Sequence, residues 1–148
     1  MILAGMHKAF SDLRAAGLTE KLPILVAVQA ESSDAISSYL ETGYYRDADN
    51  PATVADSISV KTPSAAHLAY AALKECGGMG IRVSESEILS AQKLLAERSG
   101  IFCEPSSAAT LAAYYRAKEQ AWIKEKATTV LMLTGHGLKD IQAVSFAD

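Results

Sequence analysis

Apolar residues recur along the chain at two different spacings, which separate predicted helices from predicted strands. The first series has helical spacing, Leu3, Met6, Phe10 and Leu13. It predicts an amphipathic helix over residues 2–16, with Gly17 as its C-terminal cap. Residues 24–28 form a continuous apolar run instead, which indicates a buried strand.

Capping residues predict four more helices. Asp34 precedes a short helical pattern that continues to residue 40, and the polar stretch 42–51 after it is dense in turn formers. Thr62 and Pro63 predict the start of the next helix, because threonine caps helices and proline suits the first turn. That helix is expected to end at Gly77.

Ser84 and Glu87 have the spacing of a capping box, in which each side chain satisfies an amide of the other's backbone. The helix that follows should continue to about residue 98. Pro105 then predicts the first turn of a helix rich in small residues that continues to about residue 118.

Between the helices lie further strand patterns, at residues 57–60, 81–83 and 128–133. The last is the most strand-like run of the chain and ends abruptly in the turn 134–137. Strands that alternate with helices are typical of a parallel α/β sheet, and no repeat or second domain is indicated. We therefore predict a mostly parallel sheet flanked by helices in three layers.

Composition narrows the functional classes. The chain has 148 residues, of which 49% are hydrophobic and 21% charged, and a formal net charge of −3, which is typical of a globular protein rather than a disordered one. Basic residues form no patch, so we expect no nucleic-acid partner. Two isolated cysteines favour a reducing, cytoplasmic setting, and no apolar stretch is long enough to cross a membrane, so a soluble protein is expected.

The turn after the last predicted strand is the first candidate for chemistry, since ligands of open parallel sheets bind beyond the carboxyl ends of strands. Thr134 offers a hydroxyl group, and Gly135 and Gly137 allow a sharp bend and the close approach of a flat ligand. A G-x-G pattern alone is a weak signal and is more typical of a plain strand-to-helix turn.

The wider sequence around this turn resembles the threonine synthases. Residues 133–140 read LTGHGLKD, similar to the ending of that family, and residues 100–112 read GIFCEPSSAATLA, similar to its glutamate-proline start of an alanine-rich helix. Segments 28–31, 55–58 and 83–88 fit in the same order, so the resemblance covers residues 2–140. Ile141 stands where many members have proline.

This resemblance implies the C-terminal portion of a pyridoxal-phosphate enzyme with the tryptophan synthase beta-subunit-like fold, known as fold type II. Residues 1–148 would form one partial domain of its catalytic region. The complete enzyme would convert O-phosphohomoserine to threonine and phosphate. Its partners would be a small amino-acid substrate and, as a homo-oligomer, a second copy of itself in a dimer.

The resemblance also implies roles for individual residues. The Thr134 hydroxyl would bind the pyridine nitrogen of the cofactor beside Gly135, and Glu104 matches a position near the cofactor ring. Glu104 would also be favourable at a helix N-terminus without any ligand. We expect His136 to point to solvent rather than act as a base, Cys103 to be a buried small hydrophobe, Tyr114 and Tyr115 to pack, and no metal to bind.

Two parts that a pyridoxal-phosphate enzyme needs are not recognisable here. The Schiff-base lysine and the glycine-rich phosphate loop precede this region in the family, so Met1 is interpreted as an internal start, and the chain is expected to contain no catalytic residue and to be inactive alone. Two alternatives remain. One is a related dehydratase or replacement enzyme of fold type II, and the other is a non-catalytic binding module derived from such an enzyme.

Overall fold

The computed structural model describes residues 2–139, and the predictions that concern Met1, Asp140 and Ile141 lie outside this range. Within it are five α-helices and two β-strands, together with 3₁₀ turns at Asp56–Ile58 and at residues 137–139. In chain order they are α1 (Ile2–Ala15), β1 (Val26–Ala30), α2 (Ala35–Thr42), α3 (Ala66–Cys76), β2 (Met79–Val83), α4 (Glu85–Ser99) and α5 (Pro105–Glu119).

The two strands form a parallel pair with helices on both faces. Val26 lies opposite Met79 and Ala30 opposite Val83. Helices α1, α2 and α3 cover one face, where Leu25, Ala27, Ile36, Ala66 and Leu73 are buried together. The larger cluster lies on the other face, where Ile81 and Val83 pack against α4 and α5. This three-layer arrangement confirms the predicted α/β fold class.

Local capping signals predicted helix ends well. Helix α1 ends just before Gly17, which has a positive φ of 72°. Ser84 and Glu87 form the complete capping box of α4, and Pro105 occupies the first turn of α5. Short-range hydrogen bonds determine these features, so the sequence carries the whole signal.

The first predicted strand is displaced, and two predictions between α2 and α3 are wrong. Strand β1 begins at Val26, two residues later than expected, and Val26 itself is exposed. Residues 57–60 contain no strand, because the amides of Ile58 and Ser59 bond to carbonyls three residues earlier and close the 3₁₀ turn. Helix α3 begins at Ala66 rather than at Thr62, after a turn in which the Ala66 amide donates to the Pro63 carbonyl.

The most strand-like run is also not a strand within the described residues. Residues 128–133 form no ladder, because the sheet of the described range consists of β1 and β2 alone and neither pairs with this run. Leu131 and Leu133 nevertheless pack against the larger core cluster, while Val130 and Met132 are exposed. The alternation expected of a strand is therefore present without the pairing.

No helix between residues 2 and 139 is both long and apolar enough to cross a membrane.

Candidate functional site

The turn that follows residues 128–133 is fixed against the first turn of α5. Ser107 is buried, and its Oγ atom accepts hydrogen bonds from the amides of Thr134 (3.0 Å) and Gly135 (3.1 Å). In the opposite direction, the Glu104 amide donates to the Gly135 carbonyl at 3.0 Å. Three hydrogen bonds from two residues of one helix end thus hold Thr134 and Gly135 in place.

The segment that leads into α5 extends this attachment. Cys103 forms an isolated antiparallel bridge with His136, and the Gly137 amide donates to the Phe102 carbonyl at 2.9 Å. A Cβ atom on Gly137 would strike the Phe102 ring. Any side chain at position 137 would have to displace the Phe102 ring, so the second glycine of the motif is needed for this contact.

Glu104 is a buried carboxylate beside this turn. Its side chain is only 7% exposed, and its Oε2 atom lies 3.1 Å from the Nζ atom of Lys139 and 3.4 Å from the hydroxyl of Ser57. A Cβ atom on Gly135 would collide with the carboxyl group of Glu104. Any other residue at position 135 would have to displace Glu104, so glycine is needed for this close approach.

A cleft of about 300 Å³ opens next to this carboxylate, between the 3₁₀ turn and the N-terminus of α5. Its lining residues are Asp56, Ser57, Glu104, Pro105, Ser106 and Lys139. Both charge signs and a helix N-terminus meet there, so the cleft can hydrogen-bond a small polar ligand.

The chemistry of the groups at the turn fits one edge of a pyridoxal-phosphate ring. Thr134 is exposed, and its side chain makes no hydrogen bond to residues 2–139, so its hydroxyl can donate to an aromatic nitrogen. Gly135 brings the carboxyl group of Glu104 against the turn, next to this hydroxyl. The fit concerns this edge alone, since neither a phosphate cradle nor a reactive lysine was recognised in the sequence.

The structure places the three residues predicted to contact the cofactor together. Thr134, Gly135 and Glu104 form one continuous hydrogen-bonded unit. Sequence reasoning missed Ser107, whose serine-rich helix start gave no sign that it would bind a turn 27 residues away. It also missed Ser57 and Lys139 as partners of Glu104, although Lys139 lies inside the recognised motif.

The other residues considered from the sequence make structural contacts. His136 Nδ1 accepts from the Leu138 amide at 3.1 Å, and its exposed ring lies edge-on to Phe102. Cys103 is buried as expected, and burial raises the pKa of its thiol. Tyr114 packs against the larger core cluster, and the ring of Tyr115, which is 45% exposed, lies edge-on to that of Tyr114 with 5.7 Å between the ring centroids.

Residues 2–139 contain no group of three histidine, cysteine or acidic side chains arranged to hold a metal. The Oε2 atom of Glu75 lies 3.1 Å from His7 Nε2, without hydrogen-bond geometry. Glu75 also binds Arg14 at 2.9 Å, so this cluster joins α1 to α3.

Comparisons with curated proteins agree with the sequence resemblance. The chain is 37% identical over 144 residues to the threonine synthase of Methanosarcina acetivorans, covering 96% of this chain and 36% of that protein. It is 34% identical over 146 residues to the threonine synthase of Methanocaldococcus jannaschii, covering 95% and 35% respectively. The chain thus spans about a third of the length of these relatives.

Solved structures confirm the fold. A threonine deaminase from T.th. matches with a TM-score of 0.62 and 27% identity over 80% of this chain and 40% of that one. A fungal L-serine ammonia-lyase from Rhizomucor miehei matches with a TM-score of 0.68 and 21% identity over 86% and 40%, which concerns the fold alone. Residues 2–135 also match the family described as pyridoxal-phosphate dependent enzyme, and the chain belongs to that family.

Proposed function

We propose that this chain forms the C-terminal portion of a threonine-synthase-like enzyme that converts O-phosphohomoserine to threonine and phosphate. The observation that carries the proposal is the turn of Thr134 and Gly135, fixed by α5 beside the cleft of Glu104. Similarity to threonine synthases over nearly the whole chain supports the choice of reaction.

In this proposal three residues contact pyridoxal phosphate. The Thr134 hydroxyl donates to the pyridine nitrogen, Gly135 adjoins the ring beside it, and Glu104 lies near the ring. When bound, the cofactor supplies an electron sink for carbanion chemistry at the substrate. A neutral hydroxyl does not stabilise a protonated ring nitrogen as a carboxylate would, which suits elimination and replacement reactions.

The chain's contribution is therefore to orient and tune the cofactor. We propose that the reactive lysine and the phosphate-binding loop belong to a part of the enzyme outside residues 1–148, and that the 148-residue chain is inactive alone. The substrate is a small amino acid and the complete enzyme a homodimer. A cytoplasmic location stays a prediction.

A second candidate function is a dehydratase of the same fold. The 27% identity to a threonine deaminase structure favours it. The residues that would contact the substrate phosphate, and so separate the two reactions, would lie mostly outside this chain. A non-catalytic binding module is the third alternative, and it predicts no specific contact with pyridoxal phosphate.

The test uses the complete reading frame that contains residues 1–148, expressed with pyridoxal phosphate. Purified protein is supplied with O-phosphohomoserine, threonine or serine, and phosphate, threonine and keto acid are measured. Equal amounts of threonine and phosphate from O-phosphohomoserine support the proposal. Keto acid from threonine or serine without phosphate release would identify a dehydratase, and a protein that binds no cofactor would identify the non-catalytic module.

A further inference from the structure

Ser107 connects two parts of the candidate site that are far apart in sequence. It is 1% exposed and is the third residue of α5. Its Oγ atom accepts from two consecutive amides, those of Thr134 and Gly135. A hydroxyl oxygen has two acceptor positions, so this one atom uses both of them on the turn.

The turn depends on Ser107 because the chain before it has no other regular attachment. Residues 128–133 belong to no ladder within the described range, so strand pairing does not determine where Thr134 lies. Ser107, in contrast, belongs to a rigid helix whose next residues, Ala108 and Ala109, are fully buried. The two hydrogen bonds from these amides therefore hold the turn against the rigid helix α5.

Serine near a helix start usually has a local role, in which its hydroxyl binds an amide of its own helix. Here the amides that bind Ser107 come from 27 and 28 residues away, and the N-cap position belongs to Glu104, which makes no side-chain cap. Ser107 therefore holds the turn in place and does not cap its own helix.

We infer that Ser107 is a positioning residue that sets the location of the Thr134 hydroxyl, an inference that rests on the proposed contact between Thr134 and the cofactor ring. Without the Ser107 hydroxyl, the amides of Thr134 and Gly135 lose their shared acceptor. Of the bonds at these two residues, the one from the Glu104 amide to the Gly135 carbonyl then remains, and the bond from the Gly137 amide to the Phe102 carbonyl lies two residues further on. The Thr134 backbone, and with it the side chain, is then less restrained.

The first experiment measures hydrogen–deuterium exchange of single amides in the 148-residue chain. In Ser107→Ala, exchange at Thr134 and Gly135 should accelerate roughly 5- to 150-fold, because each amide loses one hydrogen bond. Thr110→Val is the matched control, since the Thr110 hydroxyl donates only to the Ser107 carbonyl, and it should leave both amides unchanged. Unchanged exchange in Ser107→Ala would overturn the inference, whatever the cofactor does.

The second experiment records the cofactor absorption spectrum of the complete protein for Ser107→Ala, Thr110→Val and Thr134→Val. Positioning predicts that Ser107→Ala alters the spectrum in the direction of Thr134→Val, while Thr110→Val does not. A spectrum altered by Thr134→Val alone would overturn the role of Ser107 and leave the proposed function intact. A cofactor spectrum that is unchanged in both Ser107→Ala and Thr134→Val would overturn the proposed cofactor contact itself.

Should Ser107→Ala fail to fold, Ser107→Cys keeps the size of the side chain but offers only a weak acceptor. It should accelerate exchange at the same two amides by a smaller factor. Wild-type exchange and spectrum in a folded Ser107→Cys protein would count against the inference.

Discussion

The Nζ atom of Lys139 lies 3.1 Å from the Oε2 atom of Glu104, so an exposed lysine binds a carboxylate that is almost completely buried. The lysine side chain is 64% exposed and the glutamate 7%. A buried carboxylate that loses its cation keeps the cost of its own desolvation, whereas the released lysine is simply hydrated. The ion pair therefore offsets the desolvation of Glu104, whereas Lys139 needs no such partner.

Lys139→Met should lower the free energy of unfolding by about 1–3 kcal/mol, because Glu104 retains only the hydroxyl of Ser57 as a side-chain partner. Urea unfolding measures this. Lys93→Met is the control: its Nζ atom lies 3.9 Å from Glu97 and both side chains are exposed, so its effect should stay below about 0.5 kcal/mol. In a Glu104→Gln background, the loss of Lys139 should cost less than in wild type, and an equal cost would show that the two residues are not coupled.

Glu87 provides a pH-dependent contribution to stability. Burial raises the pKa of its carboxyl group, but hydrogen bonds from Ser84 and the bidentate contact with Arg116 outweigh burial, and the pKa lies below its ordinary value of 4.5. The unfolded state then takes up a proton first as the pH falls. The stabilisation is therefore complete above pH 4.5 and disappears as the pH falls through the folded-state pKa.

Glu87→Gln should lower the free energy of unfolding at pH 7 by about 1 kcal/mol, a value reduced for the partial exposure of the ion pair. Glutamine still accepts in the capping box, so helix α4 should form. Urea unfolding between pH 7 and pH 3 should show the difference from wild type shrinking below pH 4.5. Glu97→Gln, which alters an exposed carboxylate on the same helix, should show no such trend, and a difference for Glu87→Gln that stays constant with pH would contradict the assignment.

The parts of the fold that could be predicted from sequence are those that short-range contacts determine. The caps at Gly17, Ser84 and Pro105 each involve residues within a few positions, and all three were predicted correctly. Residues 128–133 were assigned to a strand because β-branched and apolar residues follow one another there, but a ladder also needs a neighbouring strand, which no local pattern specifies. Leu131 and Leu133 still pack against the core, although the predicted strand pairing is not formed within the described residues.

The candidate site divides in the same way. Thr134, Gly135 and Glu104 were found because they belong to motifs with a recognisable order of residue types. Ser107 could not be found, because its donors lie 27 and 28 residues further along the chain and any serine at a helix start looks alike in sequence. The partnership of Glu104 with Lys139, 35 residues apart, depends on the same long-range placement.

The 148-residue chain should form no specific covalent adduct with pyridoxal phosphate, because the lysine that performs this step in the proposed enzyme lies outside it. Incubation with the cofactor, reduction with borohydride and peptide mapping should show diffuse labelling of surface lysines. The labelling of Lys139 is the most informative, since this lysine lies next to the proposed site of the cofactor ring. Stoichiometric labelling of one lysine, abolished by its replacement with arginine, would place a functional Schiff-base lysine in this chain.

The same chain should self-associate, because it exposes apolar side chains and the backbone of residues 128–133. Val130, Met132, Trp122 and Leu138 are among the exposed residues. Light scattering at increasing concentration should show dimers or larger species that bind a hydrophobic dye. Val130→Glu should weaken this association more than Leu18→Glu, an equally exposed leucine beyond α1. A monomer at high concentration that binds no dye would contradict the expectation.

Thr134→Val tests the proposed cofactor contact in the complete enzyme, since valine keeps the branched shape and removes the hydroxyl. The fold should survive, because the bonds from Ser107 reach the backbone amides of residues 134 and 135 and not the threonine side chain. Loss of one hydrogen bond to a buried acceptor costs about 1–3 kcal/mol, so turnover should fall roughly 5- to 150-fold. The absorption spectrum of the bound cofactor should shift as well, because the ring nitrogen loses its donor. Thr129→Val, in the exposed part of the same segment, should change neither quantity. Wild-type turnover together with an unchanged spectrum in Thr134→Val would make Thr134 an ordinary turn residue.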